Sequence, residues 1–196
     1  MSKKLLALVG SPRKGGNTDT LVDEAVYVFY KAGGEAEKIY LNSVHIKPCQ
    51  GCFACMENDG LDSVCIQQDD MMGIYQKMFE ADFVLWATPI YMWSPTAQMK
   101  LYLDRLFPLG DYQNTRWRCA LNGTPVGIII VYAENDPLHS GVFQTRDILK
   151  VVAEASGGNT AFVIHSTVGE KGKTRQNVDL IQKVQEAVGK VVQGLD

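Results

Sequence analysis

The stretch Leu5-Leu6-Ala7-Leu8-Val9-Gly10-Ser11-Pro12-Arg13-Lys14-Gly15-Gly16-Asn17-Thr18-Asp19 runs from an apolar segment into a glycine-rich loop and then to the start of a helix. Leu5 to Val9 is too short to span a membrane and has the density of a strand buried on both faces. Gly10, Gly15 and Gly16 let the backbone turn and come close to a ligand. Asn17 or Thr18 is the expected cap of the helix, whose first free N–H groups point back toward the loop as a phosphate seat. Ser11, Asn17 and Thr18 add short polar groups, and Arg13 adds a charged fork.

Missing residues narrow the phosphate. A nucleoside-triphosphate loop reads G-x-x-x-x-G-K-[ST], but here Gly10 and Gly15 are followed by Gly16 and Asn17, so the lysine and the magnesium-binding hydroxyl are absent. The G-x-G-x-x-G spacing of a dinucleotide loop is absent too. The donors that remain suit a terminal monophosphate without magnesium.

At 196 residues the chain is expected to form a single domain over 1–196 with a full hydrophobic core. A formal net charge of −3 and the lack of any lysine or arginine block argue against a nucleic-acid partner. The opening Met1-Ser2-Lys3-Lys4 and the apolar run after it mimic a signal peptide, but Gly10, Pro12, Arg13 and Lys14 end the run. No stretch approaches the roughly 20 apolar residues of a membrane helix, so the expected location is cytoplasmic, with no membrane partner.

Strand and helix patterns alternate along the rest of the chain. Leu21, Val22, Ala25, Val26, Phe29 and Ala32 carry helical spacing, stopped at Gly33-Gly34. A strand is expected at Glu37–Leu41, followed by a cysteine-rich insertion at about 43–67 without periodicity. Asp69 or Asp70 reads as the cap of a helix to Glu80, and Asp82–Pro89 as a third, buried strand. Ser94, with Pro95 in the first turn, reads as the start of a helix through Met99, Leu103 and Leu106 to Pro108. Strands at Pro125–Tyr132 and Thr160–His165 and helices near 140–156 and 178–192 complete the pattern.

Five strands alternating with five helices predict an α/β three-layer sandwich around a five-stranded parallel sheet of order 2-1-3-4-5. In that order the ligand crevice lies at the carboxyl ends of strands 1 and 3, which are Gly10-Ser11 and Pro89-Ile90. The second of these opens the loop Pro89-Ile90-Tyr91-Met92-Trp93, whose aromatic residues and backbone N–H groups suit the cover of a flat heterocycle. A third loop follows strand 4 and brings Tyr132 and Glu134 alongside. A phosphate seat beside a ring cover suggests a mononucleotide with a planar base.

Gly10-Ser11-Pro12-Arg13-Lys14-Gly15-Gly16-Asn17-Thr18 and Thr88-Pro89-Ile90-Tyr91, with Met99-Lys100 and Leu103-Asp104-Arg105 downstream, resemble the flavodoxin-fold NADPH-dependent FMN reductases and iron–sulfur flavoproteins. The resemblance runs from Leu5 to the end of the chain. It implies that Ser11, Arg13, Asn17 and Thr18 hold the FMN phosphate and that Pro89, Ile90, Tyr91, Met92 and Trp93 line the isoalloxazine ring. It also implies a flavodoxin-like fold and a homodimer or homotetramer in which a neighbouring subunit helps to close the flavin site. The helix at 96–107 is the candidate contact.

Cys49, Cys52, Cys55 and Cys65 form a C-x2-C-x2-C-x9-C pattern. Three close thiols and a remote fourth suit a [4Fe–4S] cluster better than a lone zinc. The compact motif of the iron–sulfur flavoproteins has a shorter final gap, and a cluster-free redox or structural thiol role is the other reading. Cys119 reads as a packed thiol, while His45, His139 and His165 show no metal spacing. Pro108–Asn122, with Tyr112, Arg116, Trp117 and Arg118, is aromatic and basic. A lid, a nicotinamide-nucleotide phosphate site, a subunit contact and a plain surface loop all stay open for it.

The expected activity is FMN-dependent transfer of electrons from NAD(P)H to a quinone, a flavin or another small acceptor, with FMN supplying the redox chemistry. The alternative is an iron–sulfur flavoprotein or FMN electron-transfer module that serves a redox protein partner. Removing the Arg13 guanidinium from a bound phosphate in Arg13→Ala is expected to weaken FMN retention by about 1.5–3 kcal/mol. Fluorescence titration with FMN measures this, and unchanged retention removes Arg13 from the site.

Overall fold

The computed structural model describes residues 2–56, 65–109, 121–168, 170 and 172–195. Its strands are β1 (Lys4–Val9), β2 (Glu35–Tyr40), β3 (Phe83–Tyr91), β4 (Ser94–Pro95), β5 (Pro125–Tyr132) and β6 (Asn159–Thr167). Its α-helices are α1 (Asn17–Lys31), α2 (Met71–Glu80), α3 (Ala97–Asp104), the single turn α4 (Pro137–Ser140), α5 (Val142–Ala155) and α6 (Val178–Gly194). The main sheet has the order β2-β1-β3-β5-β6. All four pairings along it are parallel. Counted over the parallel strands alone, this is the expected 2-1-3-4-5 order of a flavodoxin-like fold. The short β4 is a sixth strand that the sequence reading did not anticipate; it folds back antiparallel on the end of β3.

The unbroken apolar run of β1 follows from its central place. Leu6 and Leu8 face one layer with Val84 and Trp86 of β3 and Ile128 and Ile130 of β5, against residues of α2, α3 and α5. Leu5, Ala7 and Val9 face the other layer with Phe83, Leu85 and Ala87, against α1 and α6. Alternate side chains of a strand point to opposite faces, so a strand with helices on both sides must be apolar at every position. Full burial of each such leucine, valine or phenylalanine contributes about 1.5–3 kcal/mol.

Two helix starts differ from expectation. The N-cap of α1 is Gly16, and Asn17 is already helical. For α3 the N-cap is Thr96, whose hydroxyl accepts from the Met99 N–H, because Ser94 and Pro95 are taken into β4. Thr96 also donates to the Gly10 carbonyl at 2.8 Å, and its own N–H donates to the Thr88 hydroxyl at 3.3 Å. A Cβ added at Gly10 would lie 3.0 Å from Thr96 Oγ1 and from Met99 Cβ, so the approach of the two loops requires glycine there.

A second polar device closes the base of the cysteine segment. The Arg105 guanidinium, at the end of α3, donates to Asp69 at 2.6 and 3.2 Å and to the Lys47 carbonyl at 2.9 Å. Asp69 accepts in addition from the backbone N–H groups of Lys47 and Met71. The two side chains are 1% and 0% exposed, so water supplies none of the partners they need. Asp69 therefore does more than cap a helix, the role expected for it and Asp70. Burial on its own would raise its pKa, but the Arg105 hydrogen bond, the backbone donors and the cationic charge together hold it below the ordinary carboxylate value. Among the described residues no helix is long and apolar enough to cross a membrane.

Thr96→Val removes the hydroxyl and leaves the Gly10 carbonyl and a helix-terminal N–H without their partner. It should cost about 1–3 kcal/mol, read from the urea unfolding midpoint. Asp69→Asn breaks a buried ion pair and should cost about 3–5 kcal/mol at neutral pH. The carboxylate's lowered pKa contributes stability above its unfolded value of about 3.9, and this is lost as pH falls through the lowered folded value. Unfolding midpoints compared from neutral pH downward should therefore show the gap between wild type and Asp69→Asn narrowing below about pH 4.

Candidate functional site

At the carboxyl ends of β1, β3 and β5 the three loops expected to meet do so. Ser11, Arg13, Asn17 and Thr18 line one crevice together with Pro89, Ile90, Tyr91 and Tyr132; Gly16, Val131, Ala133, Val168 and Glu170 complete it. One end of the crevice is the amino terminus of α1, where the Gly16 N-cap makes no side-chain capping bond. The first amides of a helix have no intrahelical partner, so this end offers free donors and the positive end of the helix dipole. Arg13 makes no ion pair among the described residues, which leaves its guanidinium for an exogenous anion. The other end is walled by Pro89, Ile90, Tyr91, Val131 and Tyr132. A ligand with an anionic tail and a flat, largely apolar body matches this arrangement.

Asp19 shapes the loop and was not singled out from the sequence. Only 2% exposed, it accepts from the Gly15 N–H at 2.6 Å, from Lys38 at 2.9 Å and from the Tyr40 hydroxyl at 2.9 Å. Burial opposes its charge, but these donors hold its carboxyl below the ordinary range, so it stays ionised while compensated. An acidic residue in the first turn, aimed back at the preceding loop, was the available sequence clue. Asn17 also departs from the simple picture of a ligand-facing donor. Its amide donates to the Glu170 carbonyl and its oxygen accepts from the Gly172 N–H, both at 2.8 Å. It thus ties the segment after β6 to the start of α1.

Met92, Trp93 and Glu134 stand apart from the crevice lining. Met92 and Trp93 form the two-residue turn between β3 and β4, with φ of 47° and 59°. Two positive φ values in a two-residue hairpin match the right-handed twist of the strands. Met92 is 81% and Trp93 61% exposed. The Trp93 indole N–H donates to the His139 carbonyl at 2.7 Å. Its backbone packs on Gly141, where an added Cβ would lie 2.4 Å from the Trp93 carbonyl oxygen. Glu134 accepts from the N–H of its neighbour Asn135. His165 packs between the Tyr132 and Phe143 rings, and burial, with Lys183 and Arg146 nearby, lowers its pKa.

Cys49, Cys52, Cys55 and Cys65 are free thiols that line a second, separate cavity with Gln67, Arg105 and Phe107. Burial is the main cause that raises the Cys55 pKa, followed by the charges of Cys65, Cys52 and Cys49. Four soft donors in one cavity have the chemistry of an iron–sulfur or zinc site. Among the described residues no three His, Cys, Asp or Glu groups stand close enough to grip one ion, so closure on a shared centre requires the thiols to draw in. Cys119, the loop 57–64 between Cys55 and Cys65, and Tyr112, Arg116, Trp117 and Arg118 lie outside the described residues.

Known proteins are similar to this chain. An iron–sulfur flavoprotein of Archaeoglobus fulgidus is 37% identical over 130 residues, which cover 66% of this chain and 54% of that protein. A putative NAD(P)H-dependent FMN-containing oxidoreductase of Bacillus subtilis is 33% identical over 102 residues, covering 52% of this chain and 51% of that protein. The chain thus spans about half the length of these curated relatives. The crystal structure of RosB with a bound 8-demethyl-8-formylriboflavin-5'-phosphate intermediate superposes with a TM-score of 0.73 at 16% identity, covering 99% of this chain and 80% of that one, and shows a shared fold. Residues 3–169, from the first strand to the segment beyond β6, match the family model of the NADPH-dependent FMN reductases, and the chain belongs to that family.

Proposed function

We propose that this protein is an FMN-dependent NAD(P)H oxidoreductase that delivers electrons to a quinone, a flavin or another small acceptor. The observation that carries the reading is the crevice itself: the uncapped amino terminus of α1 and the Pro89–Tyr91 and Tyr132 walls converge at the carboxyl ends of β1, β3 and β5. The family match, and the flavin phosphate named in the superposed structure, support FMN as the occupant.

In this reading the α1 amides, Ser11, Thr18 and Arg13 hold the phosphate, while Asn17 fixes the neighbouring segment through Glu170 and Gly172. Pro89, Ile90, Tyr91 and Tyr132 flank the ring and exclude water from it. The exposed Met92 and Trp93 stand at the turn beyond Tyr91, where a second subunit of a homodimer or homotetramer can cover them. Glu134 is not among the lining residues and accepts from the Asn135 N–H. FMN, when bound, supplies the two-electron chemistry between nicotinamide and acceptor.

A second reading is favoured by the four cysteines that share one cavity and by the iron–sulfur flavoprotein relative. In it, Cys49, Cys52, Cys55 and Cys65 hold a [4Fe–4S] cluster, and the protein exchanges electrons with a redox protein partner.

Anaerobic protein saturated with FMN should turn yellow and bleach rapidly when NADPH is added. No bleaching together with reduction by a ferredoxin supports the electron-transfer module instead, and protein that stays colourless overturns both. Iron and acid-labile sulfide assayed on the same anaerobic preparation test the cluster.

A further inference from the structure

The thiol cavity is bordered by two buried polar side chains that the proposed function leaves without a role. Arg105 is 1% and Gln67 8% exposed, and both line the cavity. Arg105 Nε and Gln67 Oε1 are buried and have no hydrogen-bond partner among the described residues. Buried polar atoms in folded proteins are nearly always paired, so an unpaired donor and an unpaired acceptor on two residues that line one cavity are unusual.

The remaining bonds of these residues have one common effect. The cysteine segment enters through His45–Pro48 and leaves through Cys65–Asp70. Arg105 donates to the Lys47 carbonyl on the entering arm and to the Asp69 carboxylate on the leaving arm. Asp69 accepts from the Lys47 N–H, Asp70 from the His45 N–H, and Gln67 donates to the Pro48 carbonyl. Every one of these bonds crosses from one arm to the other or from α3 to an arm, and none involves a thiol. The arms are therefore closed without help from any ligand.

We propose that Arg105, locked by Asp69 and assisted by Gln67, is the positioning residue of a four-thiol metal site. It holds the Cys49–Cys55 turn and Cys65 on one cavity, so that a soft, thiolate-bound metal centre has only to draw the thiols in. This deepens the iron–sulfur reading and rests on it. The clasp brings the four thiols to one cavity and leaves the final approach to the metal, whose binding displaces the thiol protons to solvent. Arginine suits the position because its planar fork engages a carboxylate and a carbonyl at once, which an ammonium does not match. Its spare Nε–H is a donor suited to a thiolate or sulfide sulfur, one of the interactions that tune such centres.

The test uses the full-length, reduced, flavin-free chain titrated anaerobically with Co(II), whose thiolate charge-transfer absorption reports binding. Arg105→Gln and the milder Gln67→Met should weaken Co(II) binding about 10- to 100-fold, the usual effect of losing an outer-shell partner, with Arg105→Lys intermediate. FMN retention, measured in parallel, should not change in Gln67→Met or Arg105→Lys, whereas a general loss of structure would move both. Folded variants, judged by circular dichroism, that bind Co(II) as tightly as wild type overturn the positioning role. Wild type that binds no Co(II) overturns the thiol-site reading and the clasp's role with it. If Arg105→Gln fails to fold, Gln67→Met decides the matter.

Discussion

The hydrogen bond from the Thr96 hydroxyl to the Gly10 carbonyl is the contact on which the crevice depends. It joins two loops that are 86 residues apart in the chain, at the one point where both leave the sheet. Neither group has access to water: Thr96 is fully buried and Gly10 is packed against Met99, Thr88 and Thr96. In such a place an unmade hydrogen bond is costly, so the bond sets the distance between the glycine-rich loop after β1 and the aromatic loop after β3. Tyr91 and Arg13 share a crevice because of it.

The same helix also reaches the other end of the molecule's chemistry. Thr96 caps the start of α3 and Arg105 its end, so one short helix is tied at its start to the loop after β1 and lines the thiol cavity at its end. An α-helix rises about 1.5 Å per residue, which sets the span from Thr96 to Arg105 at roughly 14 Å. Both ends are anchored by buried polar bonds rather than by apolar packing alone. Such bonds are directional, and they hold each loop in one register where apolar contacts would tolerate sliding.

The departures from the sequence reading have two causes, a local hairpin and partners distant in sequence. Ser94-Pro95 carries the composition of a helix start, yet the chain turns at Met92 and Trp93 and pairs Ser94 with Tyr91, which moves the cap to Thr96. The same turn holds Met92 and Trp93, which are not among the residues lining the crevice. Asn17 has the composition of a helix cap, but Gly16 takes that place and the Asn17 side chain is drawn to Glu170 and Gly172. The Ser94–Tyr91 pairing is a local hairpin, whereas Thr96, Trp93 and Asn17 are held by Gly10, His139 and Glu170, partners distant in sequence. Asp19 and Asp69 were hard to read for the second reason: their decisive partners, Lys38 and Arg105, lie 19 and 36 residues away.

Taken alone, the sequence determined the alternation of strands and helices, the central place of Leu5–Val9, and the coming together of Ser11, Arg13, Thr18, Pro89 and Tyr132. Those features follow from local periodicity, from burial on both faces, and from the rule that parallel strands end on one side of a sheet. Only the tertiary structure decided which polar groups are consumed within the fold and which are left over. Asn17, Trp93, Asp69 and most of Arg105 are consumed, whereas the α1 amides, the Arg13 guanidinium, Arg105 Nε and Gln67 Oε1 are left. A polar side chain is satisfied by whatever donor or acceptor lies within about 3 Å, and no local pattern specifies what the folded chain brings that close.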